Sequence, residues 1–253
     1  SASPSFDLPY SVDSINQEQI QDGQLGINAS EVLSRVPGLV VQNRQNYAQD
    51  LQISSRGFGA RSAFGVRGIK LIADGIPAST PDGQGQAATF NLDTAERIEV
   101  LRGPAATLYG SNAGGVIQMF SRDGEGPPRI GAETLVGSDG MSKNHLTAEG
   151  ATDDVGFVLD ASRMDTDGYR DHSAARRDQT FAKLNFKPDE DSKLALIYSS
   201  LEQNGTQDPL GQSWEAYKAD PRSVTPNALT YNTRKSIDHQ QLGLNYERYI
   251  GDA

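Results

Sequence analysis

The side chains best suited to holding a small ligand lie in three loops, at residues 44–50, 60–65 and 78–88, and the last two contain glycine. Glycine lets the backbone approach a bound molecule closely, and loops carry binding residues more often than scaffolds do. A guanidinium donates hydrogen bonds to anionic oxygens, an aromatic ring offers a flat apolar face, and amides add neutral hydrogen bonds. We therefore predict a site for an anionic or quinone-like small molecule, formed by Tyr47, Arg61, Phe64, Gln84 and Gln86.

Patterns for catalysis, metal binding and nucleic-acid binding are weak. The chain has no Cys and three His, at positions 145, 172 and 239, which do not have the spacing of metal ligands. Gly57 and Gly59 lack the third glycine of a dinucleotide loop, because Ser62 occupies that position. A net charge of −10 argues against a phosphate-backbone partner. We predict no enzyme activity, no cofactor and no nucleic-acid partner.

The chain changes character at Gly124–Pro128, a Gly-Glu-Gly-Pro-Pro run that neither a helix nor a strand interior tolerates. We predict two domains, residues 1–125 and 126–253, with an α+β fold in the first and antiparallel strands in the second. Acidic and basic residues are spread over both parts, so neither part has a charged tail.

Helix signals in the first domain are local. Asn28 and Glu31 form a capping-box pattern that predicts a helix over 28–36, and a second short helix is predicted to begin at Ser14. The apolar stripe of the first helix consists of Ala29, Val32, Leu33 and Val36. Asp74-Gly75 between apolar residues predicts a hairpin. Further strands are predicted over 97–102 and 116–120.

Hydrophobicity alternates with a period of two after residue 128, which predicts strands with one apolar face. The predicted strands span 129–137, 142–151, 154–166, 176–187, 192–203 and 237–250. Residues predicted on the apolar face are Leu184, Phe186, Leu242, Leu244 and Tyr246, and those on the opposite face are Lys183, Lys187 and Glu247. The joints are short at one end and long at the other, above all at 204–236. This asymmetry is typical of outer-membrane barrels, while a soluble antiparallel sandwich shares the alternation.

Six short motifs occur in order along the first domain, at Ala29–Gly38, Ile53–Gly59, Ile72–Pro77, Glu96–Pro104, Leu108–Gly110 and Gly114–Ile117. In these motifs and their order the first domain resembles the plug domain of TonB-dependent outer-membrane receptors. The resemblance implies a plug domain within a transmembrane β-barrel of the Gram-negative outer membrane. It further implies import of a scarce substrate, powered through TonB, with outer-membrane lipid around the barrel. Because such barrels have about 22 strands, the chain is expected to be an internal fragment.

The resemblance also implies roles for charged residues. Glu99 and Arg102, with Arg56, are expected to pair with charged residues of the barrel lumen and to hold the plug in place. The alternative is an ordinary solvated face, since Arg97 and Glu99 alternate with apolar residues along one strand. The segment that contacts TonB is not recognisable before Phe6.

Three classes of function remain open on the sequence. Ferric siderophores are the most common cargo of the family, and residues 56–68 and 81–86 also resemble receptors for pyrroloquinoline quinone. A soluble adhesin or carbohydrate-binding β protein and a periplasmic enzyme are the other classes. Dependence on detergent separates a barrel from the soluble protein, and a turnover assay tests for the enzyme.

Overall fold

The computed structural model describes residues 11–42, 46–55, 66, 68–78, 87–103, 109 and 114–250. The described residues form two compact units. The N-terminal unit contains the described residues up to 122 except 46–49, and the C-terminal unit contains 46–49 and 123–250. Within these ranges no helix is both long and apolar enough to cross a bilayer.

The N-terminal unit is built on a five-stranded mixed sheet with the strand order β1-β6-β7-β4-β5. Its strands are β1 Ser11–Asn16, β2 Leu39–Gln42, β3 Gln52–Ser55, β4 Ile69–Ala73, β5 Ile76–Pro77, β6 Ala95–Arg102 and β7 Gly115–Ser121. Its helices are α1 Gln17–Gln21, α2 Ser30–Leu33 and two 3-10 turns, Ala87–Thr89 and Leu92–Thr94. β4 and β7 are parallel, whereas β2 and β3 form a separate antiparallel ribbon. This is the predicted α+β arrangement.

One apolar core joins the helices of this unit to its sheet. The predicted stripe Ala29, Val32, Leu33 and Val36 is buried in it. The core also contains Ile98 and Val100 of β6, whose charged neighbours therefore point to the other face of the sheet. The predicted hairpin is confirmed, with Asp74 and Gly75 at φ values of 49° and 79°. Both residue types accept this left-handed region, which a two-residue hairpin turn requires.

Two helix predictions are wrong in their bounds. Residues 11–16 form strand β1, so the helix near Ser14 begins only at Gln17, and Asn16 with Gln19 forms its capping box. The helix predicted over 28–36 is helical only from Ser30 to Leu33. Here the Glu31 carboxylate accepts the backbone N–H groups of residues 26, 27 and 28, and the N-cap is Ala29 rather than Asn28. Pro37 shortens the other end because it disfavours helical geometry in the residue before it.

The C-terminal unit contains a six-stranded antiparallel sheet in which the strands follow one another in chain order, so the predicted strand pattern is confirmed. The strands are β8 Arg129–Val136, β9 Ser142–Thr152, β10 Val155–Thr166, β11 Ala175–Asp189, β12 Ser192–Gln207 and β13 Arg234–Arg248. Two helices lie between β12 and β13, namely α3 Trp214–Ala219 and α4 Pro226–Thr230.

The turns account for the differences from the predicted bounds. Pro188 follows the predicted strand 176–187 but lies within β11, where the pairing with β12 shifts register between Phe186 and Asp189. Proline is tolerated in a sheet at such a bulge, because no ladder hydrogen bond is needed from its nitrogen. At the opposite end of the sheet, β12 and β13 extend beyond the residues whose hydrophobicity alternates. The connection between them is therefore shorter than predicted and covers residues 208–233.

Candidate functional site

The residues predicted to hold a ligand are only partly within the described chain. Arg61, Phe64, Gln84 and Gln86 lie outside the described residues, as does Arg56 of the predicted lock. Tyr47 is described, and it belongs to the C-terminal unit although the sequence around it is that of the first domain. Glu99 and Arg102 of the predicted lock are described as well.

Tyr47 sits in a four-residue segment, residues 46–49, which folds back on itself. The Asn46 side-chain oxygen accepts the N–H of Ala48 at 2.9 Å, and the Asn46 carbonyl accepts the N–H of Gln49 at 3.2 Å. This Asx turn fixes the backbone locally. The amides of Asn46 and Gln49 then donate to the two carboxylate oxygens of Asp208, at 2.8 and 2.7 Å. The segment is thus tied to the end of β12.

The side chains around Tyr47 on the sheet are buried and polar. Gln203 donates to the Tyr47 carbonyl at 2.6 Å, and Arg177 donates from Nε to the Gln203 side-chain oxygen at 3.1 Å. The Arg177 guanidinium lies 5.8 Å from the centre of the Tyr47 ring, within cation–π range. Both Arg177 and Gln203 are less than 5% exposed. Because the polar groups of Arg177 and Gln203 are paired, these two side chains hold the Tyr47 segment in one position.

The charged residues of the predicted lock have partners inside the N-terminal unit. Arg102 is 8% exposed, pairs with Asp13, and donates to the Pro37 carbonyl at 2.5 Å. Glu99 accepts from Arg97 at 2.9 Å. Arg102 thereby links β6 to β1 and to the chain that follows α2. Pairing of Arg56, Glu99 and Arg102 with a barrel wall stays a prediction.

Asp123, just before the strands of the C-terminal unit, is a charged residue that the sequence reading did not single out. Its carboxylate lies 2.8 Å from the Lys183 ammonium and 2.5 Å from that of Lys193, on neighbouring strands. Burial raises the pKa of Asp123, but hydrogen bonds and charges from the two lysines outweigh this and hold the pKa below its ordinary value of 3.8. Its position after the last strand of the first domain is the sequence signal that could have indicated it.

Asp123→Asn is expected to lower the free energy of unfolding of the C-terminal unit by about 2 kcal/mol at pH 7, because two ammonium groups lose a charged acceptor. A carboxyl with a lowered pKa stabilises the folded state above its ordinary pKa and loses this effect as pH falls through the lower value. The difference between variant and wild type should therefore shrink below about pH 4. Urea titrations at pH 7, 5 and 3 measure it, with Asp153→Asn in an exposed turn as control. A difference independent of pH would contradict the assignment.

The sheet of the C-terminal unit has one exposed face, and this face is apolar in the part nearest the short turns. Cross-strand neighbours form two rows there: Phe157, Leu184, Leu196 and Leu244, and then Leu159, Ala182, Tyr198 and Leu242. Leu242 and Leu244 are 72% and 68% exposed. Leu184 and Tyr246 are also exposed and Phe186 is half-buried, whereas Lys183 on the opposite face is buried. Lys187 and Glu247, which are predicted on the same face as Lys183, are exposed near the short-turn end of the sheet.

Polarity on this face rises toward the long loops. The row Ala161, Thr180, Ser200 and Gln240 is small or polar, and the next row is charged, with Arg163, Asp178, Glu202 and Asp238. Arg163 and Asp178 form a two-pronged ion pair at 2.6 and 3.0 Å. Tyr246 and Tyr249 lie exposed at the other end. An apolar band between an aromatic edge and a charged edge is the pattern of a strand surface that meets lipid.

The long connection carries exposed aromatic residues. Trp214 and Tyr217 stack with ring centres 5.4 Å apart, and Tyr231 is 73% exposed. Arg170, in the loop between β10 and β11, attaches this connection to that loop by donating to the carbonyls of Leu210 and Ser223. Burial lowers the pKa of Arg170, while the charges of Asp208 and Asp171 oppose that shift.

Comparison with known proteins agrees with this architecture. Residues 4–117 match the model of the TonB-dependent Receptor Plug Domain. The hemin receptor of Yersinia pestis is 30% identical over 71% of this chain and 27% of its own length. The solved ferric yersiniabactin uptake receptor FyuA from Yersinia pestis has a TM-score of 0.73 at 23% identity, covering 95% of this chain and 38% of that one. The unliganded ferric citrate transporter FecA has a TM-score of 0.70 at 27% identity, over 85% and 34%.

An α+β unit followed by long antiparallel strands with an apolar exposed face is the arrangement expected of a plug domain followed by strands of a transmembrane barrel. Residues 4–117 are therefore identified as a TonB-dependent receptor plug domain, and the antiparallel strands that follow match those of TonB-dependent barrel receptors. It spans 27% to 38% of the length of the relatives just described.

Proposed function

We propose that this chain is part of a Gram-negative outer-membrane transporter that imports a ferric siderophore or a related iron complex. In this proposal residues 1–125 are the plug, and residues 126–253 are the first barrel strands and loops. The observation that carries it is the plug match over 4–117 joined to a sheet with apolar outward rows. The relatives named for hemin, ferric citrate and ferric yersiniabactin support an iron complex as cargo.

TonB is the energy-coupling partner in this proposal, and outer-membrane lipid surrounds the apolar rows. The relatives described above are receptors and a transporter, so we assign transport rather than catalysis. Tyr47, Arg61, Phe64, Gln84 and Gln86 are the proposed contacts with the ligand. The long connection with Trp214, Tyr217 and Tyr231 is proposed to cover the ligand.

Growth of a deletion strain tests the cargo. Under iron limitation the strain is given hemin, ferric citrate, ferric yersiniabactin or ferric enterobactin, and in a separate arm pyrroloquinoline quinone. We expect one iron complex to support growth only when the receptor is restored. Dependence on the receptor for pyrroloquinoline quinone alone would replace iron transport by the second candidate, which the sequence of residues 56–68 and 81–86 suggested.

Arg61→Ala is expected to weaken binding of the native ligand by about 1.5–3 kcal/mol, the usual effect of losing a hydrogen bond to a charged group. Gln84→Ala should weaken binding less, because its contact is neutral. Equilibrium binding to purified receptor measures both, with receptor abundance in the outer membrane as the control. Wild-type affinity in Arg61→Ala, together with lost binding after deletion of 211–232, would show that the plug loops are only spacers.

A further inference from the structure

The Tyr47 segment and the long connection share one residue, Asp208. Its side chain accepts from Asn46 and Gln49 through both carboxylate oxygens. The same side chain also accepts the N–H of Leu210 at 2.9 Å, in the first turn of the connection. A single carboxylate therefore holds a plug-sequence segment and the start of the connection together.

Asp208 also closes the neck of the connection. Its backbone N–H donates to the Thr233 carbonyl at 2.8 Å, and the Thr233 hydroxyl donates to the Asp208 carbonyl at 2.7 Å. The neighbouring Leu210 adopts a φ of 57°, a left-handed conformation that is unfavourable for a leucine and persists only when its surroundings enforce it. Two hydrogen bonds enforce it here: the Leu210 N–H donates to the Asp208 carboxylate, and Arg170 donates to the Leu210 carbonyl.

The Tyr47 segment has contacts on two sides. On the sheet side, the buried side chains of Gln203 and Arg177 are hydrogen-bonded to each other, and Gln203 donates to the Tyr47 carbonyl. On the other side, the amides of the segment donate to Asp208 at the neck of the connection. The connection is also attached further along, because Arg170 donates to the Ser223 carbonyl. A displacement of the segment therefore changes its contacts with Asp208 directly.

We propose that Asp208 is a positioning residue that couples ligand seating at Tyr47 to the conformation of the connection 208–233, a role that rests on the proposed function. Displacement of the segment alters the hydrogen bonds from Asn46 and Gln49 to the Asp208 carboxylate. The same carboxylate accepts the Leu210 N–H, so its movement changes the turn at Leu210. The coupling is reciprocal, so closure of the connection also orders the Tyr47 segment. All the residues of this proposed coupling lie in the C-terminal unit, because residues 46–49 belong to that unit.

The experiment measures amide hydrogen exchange in the purified, ligand-free receptor for wild type, Tyr47→Ala, Asp208→Asn and the double variant. Asparagine keeps the size of Asp208 but cannot accept from both amides without opposing an NH2 group to one of them. Asp208→Asn should speed exchange about tenfold or more in both 46–49 and 209–233, because charged hydrogen bonds are lost. Tyr47→Ala should speed exchange in 209–233 in the wild-type background and add nothing when Asp208 is already changed.

Asp220→Asn is the matched control, since Asp220 accepts from Arg222 in the same connection and has no contact with 46–49 among the described residues. It should affect exchange near 220–223 only. Equal effects of Tyr47→Ala in both backgrounds, or unchanged exchange of 46–49 in Asp208→Asn, would reduce Asp208 to a brace and overturn the proposal. These measurements need no ligand, so they stand apart from any failure to transport iron. With hemin or ferric citrate, whichever binds, Asp208→Asn should also lose the ligand-induced protection of 209–233.

Discussion

Leu244→Lys is expected to destabilise the folded receptor in lipid by about 2–4 kcal/mol, the cost of a cation on the lipid face near the bilayer midplane. Leu244 is 68% exposed and lies in an apolar row with Leu184 and Leu196. Lysine at Leu184 should cost a similar amount, because it lies in the same row. Folding titrations into phospholipid vesicles measure the effect.

Asn245→Lys is the matched control. Asn245 is the next residue of β13, so its side chain points to the other face of the sheet, and it pairs with Ala195 across the ladder. It is a cleaner control than Asn185, whose side chain accepts the N–H of Gly124 at 3.0 Å. Equal tolerance of lysine at 244 and 245 would rule out a lipid-facing sheet and would favour a soluble sandwich.

Arg102→Ala is expected to lower the free energy of unfolding of the plug by about 3 kcal/mol, the low end of the range for breaking a buried ion pair. The substitution strands Asp13 and also removes a donor from the Pro37 carbonyl. Exchange of the amides in 97–103 and 115–121 should accelerate about 100-fold, since each 1.4 kcal/mol is a factor of ten. Leak of small antibiotics through the outer membrane gives a second measurement.

Two further variants in β6 distinguish charged residues that only stabilise the plug from residues that hold the plug in the barrel. Arg97→Ala should cost about 1 kcal/mol or less, because Arg97 is 39% exposed and its contacts are ion pairs with Glu99 and Glu96 and a cation–π contact to Phe120. Glu99→Gln should cost equally little if Arg97 is its whole partner set. A larger effect of Glu99→Gln would support the predicted lock, and wild-type exchange in Arg102→Ala would return β6 to an ordinary solvated strand.

Local patterns in the sequence determined the strands and the core. Alternation from residue 129 onward gave the six antiparallel strands, because one face of a sheet is buried and the period of a strand is two. The stripe Ala29–Val36 marked core positions, although its helix is only four residues long. The order of the motifs between Ala29 and Ile117 also indicated the family, which the comparison confirmed.

The tertiary structure alone decided which groups meet. Asp208 stands 162 residues after Asn46, and Lys193 stands 70 residues after Asp123, so no local spacing announces either contact. The sequence divides the chain near Gly124, yet residues 46–49 belong to the unit of the later strands, where the amides of Asn46 and Gln49 donate to Asp208. Periodicity reports which face is apolar, while pairing between distant polar groups depends on strand register and loop closure, which only the folded chain fixes.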